Sequence, residues 1–282
     1  MISHKLILLF TYLLSLVVSA SVLAQAQPVY TPKDRQIWIS KVKLAPAAPI
    51  QQRIITIGQS FTNTPYQSHT LEATPNEQLI VNLRGVDCTT FVESTLALAL
   101  QLPDTSFLGY CQMLQHLRYR NDTLNGYPSR LHYLSDWLYE NQQKGLLEIV
   151  TEQLGGKFYD KKLRFMSSHR GAYQQLKEPG NYEALLKVED ALASRKLFYI
   201  PKADIHTIEK QLLDGDIIAI TTSVPGLDAS HVGFIVWKNG RAHLLHASSE
   251  AGQVIISPQP LVDYLLDNKS QTGIMVARIK TS

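Results

Sequence analysis

One segment, ASHVGFIVWKNGRAHLLHASS at residues 229–249, constrains the fold more than any other. Its centre, Lys238-Asn239-Gly240, supplies the Asn-Gly pair that accepts positive φ at both positions of a two-residue hairpin turn. The flanking runs, His231 to Trp237 (HVGFIVW) and Arg241 to Ala247 (RAHLLHA), are β-rich. Two further runs, Asp216 to Thr222 and Gly273 to Ile279, have the same character and are set apart by Pro, Gly, Asn and Asp turns. The last third of the chain therefore reads as a meandering antiparallel sheet.

The pattern upstream is helical. Gln51 to Phe61 has helical spacing and breaks at Asn63, Thr64 and Pro65. In Asp87 to Leu100 (DCTTFVESTLALAL), Phe91, Thr95 and Leu98 recur at three- and four-residue steps and the pattern stops before Pro103. This predicts a largely buried helix with Cys88 in its first turn. Residues 103–210 are mostly helical or irregular: helices over Leu131 to Asn141 and Tyr182 to Lys196, a short strand over Leu146 to Thr151, a loop-like Phe165 to Arg170 and an extended Leu197 to Pro201. Residues 27–49, rich in Pro and Ala, read as a loose start. Helices first and a sheet afterwards predict an α+β fold with the helices on one side of the sheet.

The first two dozen residues read as an address. His4 and Lys5 precede the apolar run Leu6 to Val22, which ends in small residues with Ala24 or Ala26 as cleavage points. That is the layout of a secretory signal peptide, with an uncleaved anchor as the alternative. The remaining chain, roughly 255 residues, suffices for one large domain or two small ones. The net charge of +3 comes without the Lys/Arg cluster that nucleic-acid binding needs. Cys88 and Cys111 leave a disulfide open, although Cys111 shares a helical pattern with Met113, Leu114 and Leu117 and reads as buried.

A cysteine at a helix N-terminus gains thiolate character from the helix dipole and free N–H groups. It still needs a base, and histidine is the usual one. His231 begins one arm of the hairpin and His246 ends the other, so antiparallel pairing brings the two imidazoles together. His243 competes for the third role but lies an odd number of positions from His246, so only one of them shares the face of His231. Periodicity does not say which. Taken alone, a cysteine before a helix is an ordinary structural residue; joined with the hairpin histidines it points to a thiol hydrolase. A zinc site from Cys88, His231 and His246 is the other chemical reading, without CxxC or HExxH spacing to support it.

The motifs TPY (Thr64 to Tyr66), VDCTTFVE (Val86 to Glu93), GDIIAI (Gly215 to Ile220), SHVGFIV (Ser230 to Val236) and LLHASS (Leu244 to Ser249) follow one another in an order that resembles NlpC-type cell-wall cysteine peptidases. The closer resemblance is to their N-acetylmuramoyl-L-alanine amidase-like branch, through Thr89-Thr90, YLSDW (Tyr133 to Trp137), FMSSH (Phe165 to His169), FYIP (Phe198 to Pro201) and Gly215 to Ser230. The resemblance implies a papain-like core in which Cys88 is the nucleophile, His231 the base and His246 its orienting partner. It also implies that Tyr66, Asp87 and Ser230 line the substrate cleft. His231 follows Cys88 after far more residues than a minimal papain-like core needs, so 103–210 is expected to be an insertion beside the cleft. Trp137 there is a candidate for sugar stacking, and Ser168 and His169 are candidate polar donors. The implied layout is a signal peptide over 1–24, an extension over 25–50 and a papain-like amidase domain over 51–282. The implied function is an exported, periplasmic or secreted cysteine amidase that needs no cofactor or metal. It would cut between N-acetylmuramic acid and L-alanine in peptidoglycan or soluble muropeptides. A γ-D-glutamyl endopeptidase and a non-catalytic wall-binding module are the alternatives. No nucleic-acid partner and no stable membrane insertion after signal cleavage are expected.

Overall fold

The structure, a computed structural model, describes residues 27–101 and 105–280. The signal-peptide reading of residues 1–24 lies outside the described residues. Among the described residues the eight strands are β1 (Leu147–Ile149), β2 (Lys157–Phe158), β3 (Phe198–Pro201), β4 (Ile217–Thr222), β5 (Ala229–Lys238), β6 (Arg241–Ser248), β7 (Gln253–Ile256) and β8 (Gln271–Ile279). They form one antiparallel sheet in the order β2-β3-β8-β4-β5-β6-β7, with β1 also paired to β8. The hairpin closes as its turn residues require: Lys238 pairs with Arg241, and Asn239 and Gly240 take φ of 53° and 75°.

The helices are α1 (Pro32–Val42), α2 (Ile50–Gln59), α3 (Cys88–Leu100), α4 (Phe107–Arg118), α5 (Leu134–Gln143), α6 (Phe165–Ser168), α7 (Pro179–Ala193), α8 (Ile205–Ile208) and α9 (Leu261–Asp267). One sheet face, carrying Val232, Phe234 and Leu245, packs on α1 to α5. Its centre is aromatic, with Phe91 of α3 making edge contacts to Phe61 and Phe234 at centroid distances of 5.9 and 5.8 Å. The other face, carrying Ile218, Ile220, Ile235 and Leu244, packs on Ile205 and Ile208 of α8 and Leu261 and Leu265 of α9. Helices thus lie on both sides of the sheet, not on one. The reason is local: β4 is buried at every position, so neither of its faces could be left to water.

Residues 27–49 are also more ordered than their composition suggests. Thr31 and Asp34 form a capping box, with Pro32 at the first helical position, and α1 follows. Trp38 and Val42 then join the main core. Asp34 is fully buried, and its Oδ1 accepts hydrogen bonds from Leu83 N at 2.9 Å and Arg84 Nε at 3.1 Å. This fastens α1 to the segment that leads into Cys88.

Residues 105–210 form a second tier. A buried ion pair, Arg118 Nε to Glu93 Oε2 at 2.7 Å, joins α4 to α3, and Arg118 Nη1 also donates to the Ile80 carbonyl at 2.7 Å. Leu185 and Leu192 of α7 enclose a small core with Tyr133, Met166 and Leu176. The segment expected to be loop-like, Phe165 to Arg170, instead makes the short helix α6, held where its Phe165 N donates to the Gly226 carbonyl at 3.0 Å.

Candidate active site

Cys88 is the first residue of α3, and Asp87 caps that helix. The Asp87 Oδ1 accepts hydrogen bonds from Thr90 N and Thr90 Oγ1, both at 2.8 Å, while Thr90 Oγ1 accepts from Asp87 N at 2.9 Å. The sequence DCTT therefore builds a capping box that fixes the turn holding the thiol. Cys88 itself is half-buried, with Sγ 4.0 Å from Thr89 Oγ1 and hydrogen bonds from the Val232 and Thr89 backbone. Burial pushes its pKa up to about 12, the Asp87 carboxylate adds to the rise, and the hydrogen bonds only partly oppose them. A thiol lowered by the helix dipole was expected; here desolvation and a neighbouring negative charge win.

Val232, which reaches the thiol, directly follows His231. The β5–β6 register places His246 opposite Gly233, and a Cβ on Gly233 would come within 3.0 Å of His246 Cβ. His231 and His246 are therefore diagonal neighbours on one face. Their rings stand at 87°, and His231 Nε2 lies 2.6 Å from His246 Nδ1, a single shared N–H···N hydrogen bond. Burial depresses both bases: His231 to about 3, with His246 contributing, and His246 to about 4. At neutral pH the resting trio is an uncharged thiol beside two uncharged imidazoles. His243 pairs with Val236, faces the opposite way, and lies buried with Nδ1 2.9 Å from the Ser257 carbonyl. The geometry thus resolves the choice that periodicity left open, in favour of His246.

Tyr66 is half-buried and lies beside Asp87 and Cys88, whose charges, after burial, raise its hydroxyl pKa to about 12. It is held there because its segment bridges Val86 and its N–H donates to the Gly252 carbonyl at 2.8 Å. Ser230 is exposed next to His231, at the register shift between β4 and β5. Ser168 and His169 are exposed at the end of α6, and His169 stacks on Phe165 at 4.3 Å. Trp137 requires a correction. It is 2 % exposed inside the main core and presents no ring face on which a sugar could stack. Two residues at the site carried no sequence signal. Tyr264 of α9 packs edge-on against His246 at 5.5 Å, and Gln271 is hydrogen-bonded to Tyr264. Tyr264 is placed by the packing of α9 on the sheet, and Gln271 by the pairing of the start of β8 with Thr222 of β4.

Cys88 and Cys111 are both free thiols, and Cys111 is in the core. Among the described residues no group of three His, Cys, Asp or Glu side chains is placed to hold a metal ion, and no helix is long and apolar enough to cross a membrane.

An α+β protein with an antiparallel sheet and a helix-end thiol beside a bonded imidazole pair falls with hydrolases among solved structures. An N-acetylmuramoyl-L-alanine amidase from Bacteroides uniformis shares 38% identity over 82% of this chain and 99% of its own, with a TM-score of 0.79. A Bacteroides fragilis structure, provisionally named a xylanase, shares 43% identity over 78% of this chain and 98% of its own, with a TM-score of 0.75. A Legionella pneumophila protein at 23% identity covers 88% of this chain and 94% of its own with a TM-score of 0.66, and shows the fold alone. No curated protein matches the chain. The family model for AmiA-like, N-acetylmuramoyl-L-alanine amidase-like proteins matches residues 56–274, and the chain belongs to that family.

Proposed function

We propose that this protein is an exported cysteine amidase, on a papain-like NlpC-type core, that hydrolyses the bond between N-acetylmuramic acid and L-alanine in peptidoglycan fragments. The observation that carries the reading is the 2.6 Å bond between His231 and His246, with Val232, the residue after His231, reaching the Cys88 thiol through its backbone. Family membership supports a cell-wall amidase as the general activity.

In this mechanism Cys88 Sγ attacks the lactyl carbonyl carbon while its proton passes to His231. Because the resting thiol and imidazole are both neutral, attack and proton transfer are coupled and no ion pair waits for substrate. His246 Nδ1 steadies the imidazolium through the shared hydrogen bond. The Cys88 N–H, which has no intrahelical acceptor while Thr90 N is taken by the Asp87 cap, holds the oxyanion. The C–N bond then breaks and His231 protonates the departing L-alanine amine. Water, deprotonated by His231, cleaves the thioester and restores the thiol. Tyr66, Asp87, Ser230 and Ser168 would contact substrate around this centre.

The test is mass spectrometry of digested muropeptides. Intact stem peptides beginning with L-alanine are the expected product, and Cys88→Ala should release none. An L-alanyl-γ-D-glutamyl fragment would instead establish an endopeptidase, and undiminished turnover by Cys88→Ala would sink the mechanism. For export, N-terminal sequencing of the secreted protein should begin just after Ala24 or Ala26.

A further inference from the structure

Residues 222–230 run from the end of β4 to the residue before His231, and the second tier grips them at several points. Tyr159 Oη lies 3.0 Å from the carbonyl of Thr222 and 3.0 Å from that of Asp228, so one hydroxyl ties together the two ends of the loop. Lys161 Nζ donates to the same Thr222 carbonyl at 2.7 Å. At the loop's tip, Gly226 has φ of 77° and its carbonyl accepts from Arg164 N and Phe165 N, both at 3.0 Å. A Cβ there would come within 2.9 Å of Phe165 N, so the contact depends on glycine.

Asp228 makes the strongest of these attachments. It is fully buried, and its Oδ2 accepts from Ser135 N at 2.6 Å while Oδ1 accepts from Ala229 N at 2.7 Å. Ser135 is the second residue of α5, a helix whose own N-cap, Tyr133, makes no side-chain cap. Asp228 therefore caps α5 from a distant part of the chain, supplying the acceptor that the helix start lacks. The next residues, Ala229 and Ser230, carry the register shift at which Ile220 pairs with His231 and Thr221 with Ala229. Ser230 is the extra residue, and a bulge of this kind sets the direction of the side chain that follows it.

We propose that Asp228 and Tyr159 are positioning residues for His231: they bolt the loop and bulge ahead of the base to α5 and the second tier, and so set where the imidazole stands. The second tier then serves the reaction centre through the loop it holds. Substrate need not touch either residue. The proposal rests on the reading of Cys88 and His231 as the reacting pair.

The experiment compares the full-length wild type with Tyr159→Phe, Asp228→Asn and, as control, Lys157→Ala. Tyr159→Phe removes one hydroxyl and keeps the ring that packs on Tyr199 at 4.7 Å. Lys157 belongs to the same tier but pairs at the surface with Asp204 and does not touch the loop. Three quantities are read: kcat and KM on a muropeptide, the pH dependence of Cys88 alkylation by iodoacetamide, and the melting temperature. The expected result is a kcat lower by about 10-fold or more in Asp228→Asn and about 3-fold or more in Tyr159→Phe, with KM within about twofold, as for a misplaced base. The alkylation profile should be displaced in both and unchanged in Lys157→Ala. A folded Tyr159→Phe with wild-type kcat and wild-type alkylation profile overturns the proposal, even if Asp228→Asn does not fold. A loss of kcat matched by loss of folded protein, with an unchanged alkylation profile, overturns it too. If the wild type cleaves no muropeptide, the amidase reading fails, while the alkylation profiles still decide the positioning role.

Discussion

Gly233→Ala should damage stability and turnover together. Gly233 sits in β5 directly across from His246, and an added Cβ would meet the Leu245 carbonyl oxygen at 2.8 Å, His246 Cβ at 3.0 Å and Leu244 Cδ1 at 3.0 Å. Two of these three are backbone or Cβ atoms that no rotamer change can withdraw. Restoring ordinary contact near ~3.4 Å requires β6 to retreat from β5 by about half an ångström, and such overpacking costs about 1–3 kcal/mol. For a chain of this size that lowers the melting temperature by roughly 2–12 °C. The same retreat stretches the 2.6 Å bond between His231 and His246, and a base displaced on this scale loses about 10- to 100-fold in kcat. The assay is a thermal melt with muropeptide kinetics at a temperature where the variant is folded. Gly240→Ala is the comparison: nothing lies within 4 Å of the new Cβ, but φ is 75°, so it should cost about 1 kcal/mol of backbone strain and leave kcat alone. A Gly233→Ala protein with wild-type melting temperature and kcat would refute the assigned register and the role of the imidazole pair.

His246 is held neutral by burial, with its pKa lowered from 6.5 to about 4. The unfolded chain therefore takes up this proton first, and the stability tied to it is lost as pH falls from 6.5 towards 4, at up to about 1.4 kcal/mol per pH unit. Buried Glu77 and Glu93, whose carboxyls are raised by burial despite nearby arginines, act in the opposite sense. The readout is consequently the difference in urea midpoint between wild type and His246→Gln at pH 7 and pH 5: the wild type should lose more, and parallel losses would contradict the assignment. Asp34→Ala strands Leu83 N and releases Arg84, and should cost about 2–4 kcal/mol in chemical denaturation. Trp137→Phe should lower the melting temperature and leave KM unchanged; a large rise in KM would restore a sugar-binding role for the indole.

The hairpin, the α3 helix with Cys88 in its first turn, and the closeness of two histidines across the hairpin were legible because each depends on local chemistry: an Asn-Gly turn, a three- and four-residue apolar period, and antiparallel pairing. The choice of His246 over His243 was not, since strand alternation separates their faces without saying which face His231 shares. Other signals were present and outweighed. Thr31-Pro32 followed by Asp34 is a helix start, but the Pro and Ala around it favoured a loose reading. The unbroken apolar run of β4 already required cover on both faces. Trp137 could not be judged from sequence, since an aromatic on a helix reads the same whether it faces a cleft or a core. Tyr264 and Asp228 were invisible for a different reason. Their roles arise from long-range packing, Tyr264 against His246 and Asp228 against the start of α5, which no local pattern encodes.

The two free thiols have unequal fates under oxidation. Cys111 is 2 % exposed and belongs to the main core, so little of it is offered to peroxide, and it is not bonded to Cys88. Cys88 is the thiol left open to solvent, and it has no internal partner to trap it as a reversible disulfide. In an oxidising compartment its damage would run through sulfenic towards sulfinic acid, and recovery would depend on a reductant supplied from outside the molecule.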